Sequence, residues 1–467
     1  MISKVSLEKI QTGVPGFDRL LDGGIPRYSF VVITGAPGSG KTTLAHQIMF
    51  ANAAQEKKAI FFTVMGEPPL KMLRYQQQYS FFDGARVGGN IKYINLADDL
   101  QNNGFEGVLE RIMTEVERFQ PEFIFVDSFK SVVQATRKDD LSRAHLQYFV
   151  QRLGVQLATW QATTFLLGEY PDANHDENPI FTVADCMIHL CQEMDQNAVV
   201  RKIRVVKMRG SHHMTGLHSM RITQDGVQVY PRQLASADTN VVADAGRATL
   251  ARLSTGCLEL DKMLGGGLPA GYSVVLAGLP GCGKTMLATS FLASGATTGN
   301  IGIIASFEHI LSSAPNARLQ ALLEAGTVTA VHNTTLDLSI EEFMTKLLNE
   351  VNRTGAKRIV IDSLNALELV LAPQFRANFQ ESLFRMLSSL YVKGVTTVMI
   401  RNVAETPIQG LGPGAFMVDG IIYMNYEETN GKLVKLISVP KLRGSSHSND
   451  VRPYVVTENG IEMVPPA

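Results

Sequence analysis

The chain has 467 residues, 45% of them apolar and 19% charged, and a formal net charge of −1. That length allows two or three domains with a large buried core. The near-zero charge gives no electrostatic reason to expect nucleic acid or an anionic membrane as the main partner. The four cysteines, Cys186, Cys191, Cys257 and Cys282, match no zinc spacing and suggest reduced thiols in a cytoplasmic protein. No apolar run is of membrane-spanning length, and residues 1–10 lack a signal-peptide core.

In chain order, the first pattern is T-G-x-x-x-x-D with G-G-x-P, carried by Thr12, Gly13, Asp18, Gly23, Gly24 and Pro26. An apolar β-type run over 29–34 leads into Gly35-Ala36-Pro37-Gly38-Ser39-Gly40-Lys41-Thr42, and a helical run over 43–54 follows. This is G-x-x-x-x-G-K-[ST] in the strand–turn–helix setting that a phosphate-binding loop needs. A triphosphate must be held without water. Glycines at Gly35, Gly38 and Gly40 let the backbone N–H groups turn inward as an anion nest, with Ser39 in the same bend. The positive end of the following helix, at Lys41, Thr42 and Thr43, adds to it. Lys41 is expected to reach the β- and γ-phosphates of ATP, and Thr42 to bind Mg²⁺.

Further β-type runs are expected over 59–64, 123–126, 163–167 and 186–190, with helices over 105–119 and 141–158 between them. The run at 59–64 leads into Gly66-Glu67, and a Glu at such a strand end can act as general base on an attacking water. The ordinary alternative is a solvated carboxylate. Phe123-Ile124-Phe125-Val126 ends in Asp127-Ser128, where an Asp after a buried strand can hold Mg²⁺. The half closes on strands over 199–206 and 219–222, with Lys207-Met208-Arg209-Gly210-Ser211-His212-His213 between them. Lys207 and Arg209 suit charge stabilisation of a transferring phosphoryl group, often supplied by a neighbouring subunit. A pair of solvated strand cations is the plainer reading, and His213 has an equal claim to a packing role.

Residues 234–246 are small and polar with no sustained period, a linker composition. Beyond them the whole pattern returns. Thr255 stands 243 places after Thr12, and Lys284 stands 243 after Lys41. The second loop comprises Gly278, Gly281, Cys282, Gly283, Lys284 and Thr285, with Met286 next. Ser306-Phe307-Glu308-His309 supplies the strand-end Glu308, Arg358-Ile359-Val360-Ile361 ends in Asp362-Ser363, and Lys441, Arg443 and His447 repeat the late basic motif. Thr285 and Asp362 are the expected metal residues there. Strands are expected over 301–306, 358–361, 396–400, 433–439 and 454–457, and helices over 340–354 and 379–392. A repeat this long is a duplicated domain, not a solenoid unit. The expected layout is one domain at 1–233, a linker at 234–246 and a second domain at 247–467. Alternating strands and helices with buried apolar strands predict a mainly parallel sheet covered on both faces, an α/β fold.

These motifs, all twice and in order, resemble the KaiC family, the double-domain branch of the RecA-like ATPases. The resemblance covers nearly the whole chain. It implies two tandem RecA-like P-loop domains, each a mainly parallel twisted sheet with helices on both faces. It also implies a homohexamer of two stacked rings, with ATP and Mg²⁺ at subunit interfaces, and Lys207, Arg209, Lys441 and Arg443 reaching the adjacent protomer's nucleotide. Protein signalling partners fit that picture. Clock members of the family carry two adjacent glutamates at the catalytic strand end, whereas one carboxylate per site is available here. They also autophosphorylate an adjacent Ser-Thr pair shortly before an Asp. The places matching that pair hold Ala415 and Phe416, ahead of Asp419, and neither has a hydroxyl. The family's long C-terminal tail is expected to be short or absent after Ala467. An ATP-hydrolysing hexameric switch is therefore the first expectation. An autokinase needs another hydroxyl, such as Thr429 or Ser438. A DNA-acting motor lacks a clustered basic, aromatic-laced segment.

Overall fold

The computed structural model describes residues 7–53, 57–64, 69–127, 152, 154, 161–170, 179–195, 197–232, 251–296, 300–307, 316–332, 337–403, 415–429, 431–458 and 460–463. The chain divides into two compact units, Met1–Arg232 and Gln233–Ala467. The expected linker at 234–246 and most of the expected helix at 141–158 lie outside the described residues.

The first unit opens with the short strand pair β1 (Lys9–Ile10) and β2 (Ile25–Pro26). Its main sheet is formed by β3 (Phe30–Gly35), β4 (Ala59–Thr63), β5 (Ile91–Asn95), β6 (Phe123–Asp127), β7 (Thr163–Gly168), β8 (Cys186–Asp195), β9 (Ala198–Met208), β10 (His218–Thr223) and β11 (Gly226–Tyr230). The order across the sheet is β11-β10-β9-β8-β3-β7-β6-β4-β5. From β5 to β8 all neighbours are parallel. From β8 to β11 they are antiparallel. The second unit repeats this arrangement. It has the short strands β12 (Arg252–Leu253) and β13 (Leu268–Pro269), then β14 (Ser273–Gly278), β15 (Gly302–Ser306), β16 (Val328–His332), β17 (Arg358–Asp362), β18 (Thr396–Asn402), β19 (Gly420–Thr429), β20 (Lys432–Leu442), β21 (Arg452–Thr457) and β22 (Gly460–Met463). Its order, β16-β15-β17-β18-β14-β19-β20-β21-β22, is the first sheet read from the other side with every strand replaced by its repeat.

The parallel strands read as unbroken apolar runs because both faces are covered. In β3, Val31 and Ile33 pack with Leu44, Ala45 and Ile48 of the helix Lys41–Asn52. Phe30 and Val32 turn the other way, towards Val108, Leu109 and Ile112 of the helix Ala97–Phe119. Alternate side chains of one strand thus serve two cores. In β14, Val274 and Leu276 join Leu287 and Phe291 of the loop helix, and Val275 and Ala277 join the opposite layer.

Two helices match their expected spans, Ile340–Thr354 and Phe379–Val392. The first begins at Ser339, whose side chain accepts from the Glu342 amide, and ends at Gly355 with φ 69°. Two expectations are corrected. The loop helices start at Lys41 and Lys284, two residues earlier than the helical runs suggested, because Gly40 and Gly283 turn the chain straight into the helix. The helical stretch expected at 105–119 begins at Ala97 and is broken at Gly104 (φ 60°, ψ −148°).

Candidate nucleotide site

The T-G-x-x-x-x-D pattern builds a turn. Asp18 Oδ1 accepts from the Thr12 amide at 2.8 Å, and Asp261 Oδ1 accepts from the Thr255 amide at 2.8 Å and the Thr255 hydroxyl at 2.7 Å. These carboxylates hold the chain that leads into the loop.

Each loop leaves the carboxyl end of a strand with parallel neighbours on both sides, β3 between β7 and β8 and β14 between β18 and β19, and α/β sheets bind ligands outside the carboxyl ends of such strands. Gly40 (φ 101°) and Gly283 (φ 102°) stand at the helix starts, and no side chain caps either helix. The first-turn N–H groups, from Lys41 to Thr43 and from Lys284 to Met286, therefore keep their donors for an anion. At the base of each loop the backbone comes very close to the next strand. A Cβ on Gly35 would lie 2.3 Å from the Leu190 carbonyl oxygen, and one on Gly278 would lie 1.9 Å from that of Met424.

Lys41 folds back over its loop, donating to the Gly35 carbonyl at 3.0 Å and the Ala36 carbonyl at 2.9 Å. Lys284 does the same to Gly278 at 3.0 Å and Leu279 at 2.7 Å. Both lysines are buried, at 7% and 5% exposure. Burial pulls the Lys284 ammonium below its ordinary pKa, against the opposing pull of Cys282 and Asp362. Ser39 is fully buried and its Oγ has no hydrogen-bond partner among the described residues.

The predicted metal residues meet. Thr42 Oγ1 donates to Asp127 Oδ2 at 2.9 Å, and Thr285 Oγ1 to Asp362 Oδ2 at 3.0 Å. Burial raises the Asp127 pKa; the Thr42 bond and the Lys41 charge oppose that, and the Glu169 charge adds to it. Among the described residues no three His, Cys, Asp or Glu side chains gather to hold a metal by themselves. A hydroxyl and a carboxylate at the foot of an anion nest suit Mg²⁺ that arrives with phosphate oxygens and water. The buried lysine, the uncapped amides and the orphaned Ser39 hydroxyl fit the nucleotide.

Glu67 and Glu308 lie outside the described residues, as does His309. Their strands end in the expected place: Thr63 pairs with Asp127 and Ser306 with Asp362.

The late basic motif is held away from its own loop. Lys207 donates to the carbonyls of Phe181 at 3.1 Å and Thr182 at 3.3 Å, and Arg209 to Thr182 at 2.9 Å and Asp185 Oδ1 at 3.2 Å. Lys441 donates to the Ala415 carbonyl at 2.7 Å, and Arg443 to the Phe416 carbonyl. Asp185 Oδ2 also accepts from the Phe30 amide, and Asp419 Oδ2 from the Ser273 amide, each at 3.0 Å. Those amides begin β3 and β14, about 17 Å of strand from the glycines that end them. These cations therefore sit towards the opposite end of the strands from their own loop. Asp185 went unnoticed in the sequence and Asp419 served there only as a landmark for Ala415 and Phe416, although the motif repeat carries both of them at one spacing.

A family model for the KaiC ATPase matches residues 10–234 and 253–467. The chain belongs to the KaiC family of ATPases. Among its KaiC relatives is the circadian clock oscillator protein KaiC of Parathermosynechococcus lividus, 24% identical over 98% of this chain and 85% of the relative. That of Rippkaea orientalis is 26% identical over 97% and 88%, and that of Synechococcus elongatus 24% over 98% and 89%. The two KaiC-type repeats coincide with the two sheets. Among the described residues no helix is long and apolar enough to cross a membrane.

Proposed function

We propose that the protein binds and hydrolyses ATP at two sites per chain, one in each of two domains at 1–233 and 247–467 joined by a linker at 234–246. The observation that carries this reading is the repeated triad of loop lysine, loop threonine and strand-end aspartate, with Thr42 on Asp127 and Thr285 on Asp362. Lys41 and Lys284 hold the phosphates once they leave their own loop carbonyls. Thr42 with Asp127, and Thr285 with Asp362, hold Mg²⁺, which neutralises charge on the phosphate oxygens. Glu67 and Glu308 orient or deprotonate the attacking water.

Lys207 and Lys441 stand three strand residues short of the glycines of their own loops, and the carboxylates that hold Arg209 and Arg443 stand five short, so we take their service to a nucleotide to need a second copy of the chain. A homohexamer in the cytoplasm, with ATP at subunit interfaces and ring shape read by protein partners, satisfies that requirement.

The test is incubation of the purified chain with γ-labelled ATP and Mg²⁺. Free labelled phosphate is the expected product. Label on the protein would favour the autokinase reading, for which Ala415 and Phe416 offer no hydroxyl. Formation of neither product would overturn the proposal.

A further inference from the structure

The two sites differ at one strand end. β7 lies between β3, which carries the loop, and β6, which carries Asp127. Gly168 pairs with Thr34, so Glu169, the next residue, stands level with Gly35. Leu166 pairs with Val126, so Glu169 is two residues beyond the level of Asp127. In the second unit Asn402 pairs with Gly278 and is likewise two residues beyond the level of Asp362. Glu169 and Asn402 are therefore equivalent positions with different chemistry.

The strand period sets the direction of Glu169. Phe165 and Leu167 pack in the core that contains the loop helix, and a residue two further along leaves the sheet on that same face. Asp127 shares it with Phe125. Glu169 is partly exposed, and its charge acts on Asp127. The chain just past it is anchored, because Tyr170 packs edge-on against Phe181 at 5.4 Å between ring centroids. Asn402 is anchored instead through its backbone: its amide donates to Asn365 Oδ1 at 2.8 Å, and its carbonyl accepts from Asn365 Nδ2 at 3.2 Å.

We propose that Glu169 is a positioning residue of the first site, accepting hydrogen bonds from water around Mg²⁺ at Asp127, and that Asn402 leaves the second site with a weaker hold on the metal. The inference rests on the reading of both loops as Mg²⁺–ATP sites. A carboxylate adds a full negative charge and acceptor oxygens; an amide adds neither the charge nor the preference for a cation. The duplicated domain thus carries two sites of unequal metal demand.

The test uses the full chain and a fluorescent, non-hydrolysable ATP analogue titrated with Mg²⁺. Lys284→Ala isolates the first site, and Lys41→Ala isolates the second. In the Lys284→Ala chain, adding Glu169→Asn should raise the Mg²⁺ concentration for half-maximal binding by about tenfold, the scale of one charge acting on a divalent ion. In the Lys41→Ala chain, adding Asn402→Glu should lower it by a similar factor. A residue that merely shaped the fold would reduce binding at every Mg²⁺ concentration instead of moving the midpoint. If the first variant fails to fold, the second decides. Unmoved midpoints would overturn the proposal. If the Lys284→Ala parent itself bound no analogue at saturating Mg²⁺, the reading of the first loop would fall, which is a different result.

Discussion

The hydroxyl of Thr42 donates to Asp127 across 2.9 Å, tying the first turn of the loop helix to the end of β6. The bond joins two motifs that lie 85 residues apart in the chain. Replacing Thr42 with Val keeps the side chain's shape and removes that hydroxyl. A hydrogen bond to a charged group is worth about 1.5–3 kcal/mol. Thr42→Val should therefore weaken Mg²⁺-dependent nucleotide binding at the first site by roughly ten- to a hundredfold. Calorimetric titration in the Lys284→Ala background measures it, and unchanged affinity would remove Thr42 from the metal site.

His46 lies one helical turn after Thr42 and makes the first unit sensitive to acid. Its Nδ1 is 2.7 Å from the Thr42 carbonyl, and its ring stacks on Phe61 with centroids 4.4 Å apart. Burial lowers its pKa from 6.5 to about 4, against the bond to Thr42. The unfolded chain takes up the proton below 6.5, and the folded unit resists until about 4. Above pH 6.5 His46 leaves stability unchanged; as pH falls from there towards 4 it removes about 3 kcal/mol, the order set by that shift. The second unit has Thr289 at this place, donating to the Thr285 carbonyl at 2.8 Å. His46→Thr should flatten the first unit's melting temperature over that range. An unaltered pH slope would show that another group controls it.

Much of the fold is legible because the sequence states it twice. The amphipathic pattern of Ile340–Thr354, with Ser339 before it and Gly355 after it, marks both ends of that helix. The Asp127 and Asp362 strands stand out because apolar residues stop abruptly at a carboxylate. Other features depend on geometry that a linear pattern does not show. Gly40 and Gly283 place their lysines inside the helix because of their backbone angles. Gly104 breaks a helix through φ and ψ, with no proline to announce it. Glu169 is a single acidic residue after a strand, and only the strand order puts it between the loop and Asp127. Asp185 has significance because the first amide of β3 and the Arg209 guanidinium converge on it from distant parts of the chain.

The placement of Arg209 and Lys207 gives a complementation prediction. Neither Lys41→Ala chains nor Arg209→Ala chains should turn over ATP normally at the first site. The loss in the Arg209 variant should be on the order of a thousandfold, the usual scale of a phosphate-stabilising arginine. Mixed together under assembling conditions, the two chains should recover part of the activity, because an intact loop can meet an intact arginine from its neighbour. Activity that stays at the sum of the separate variants would contradict a role between subunits.

The most direct test of the account is the number of ATP molecules held per chain in the presence of Mg²⁺. Two duplicated cradles predict two for the native protein, one each for Lys41→Ala and Lys284→Ala, and none for the double variant. Two bound nucleotides in either single variant would contradict it.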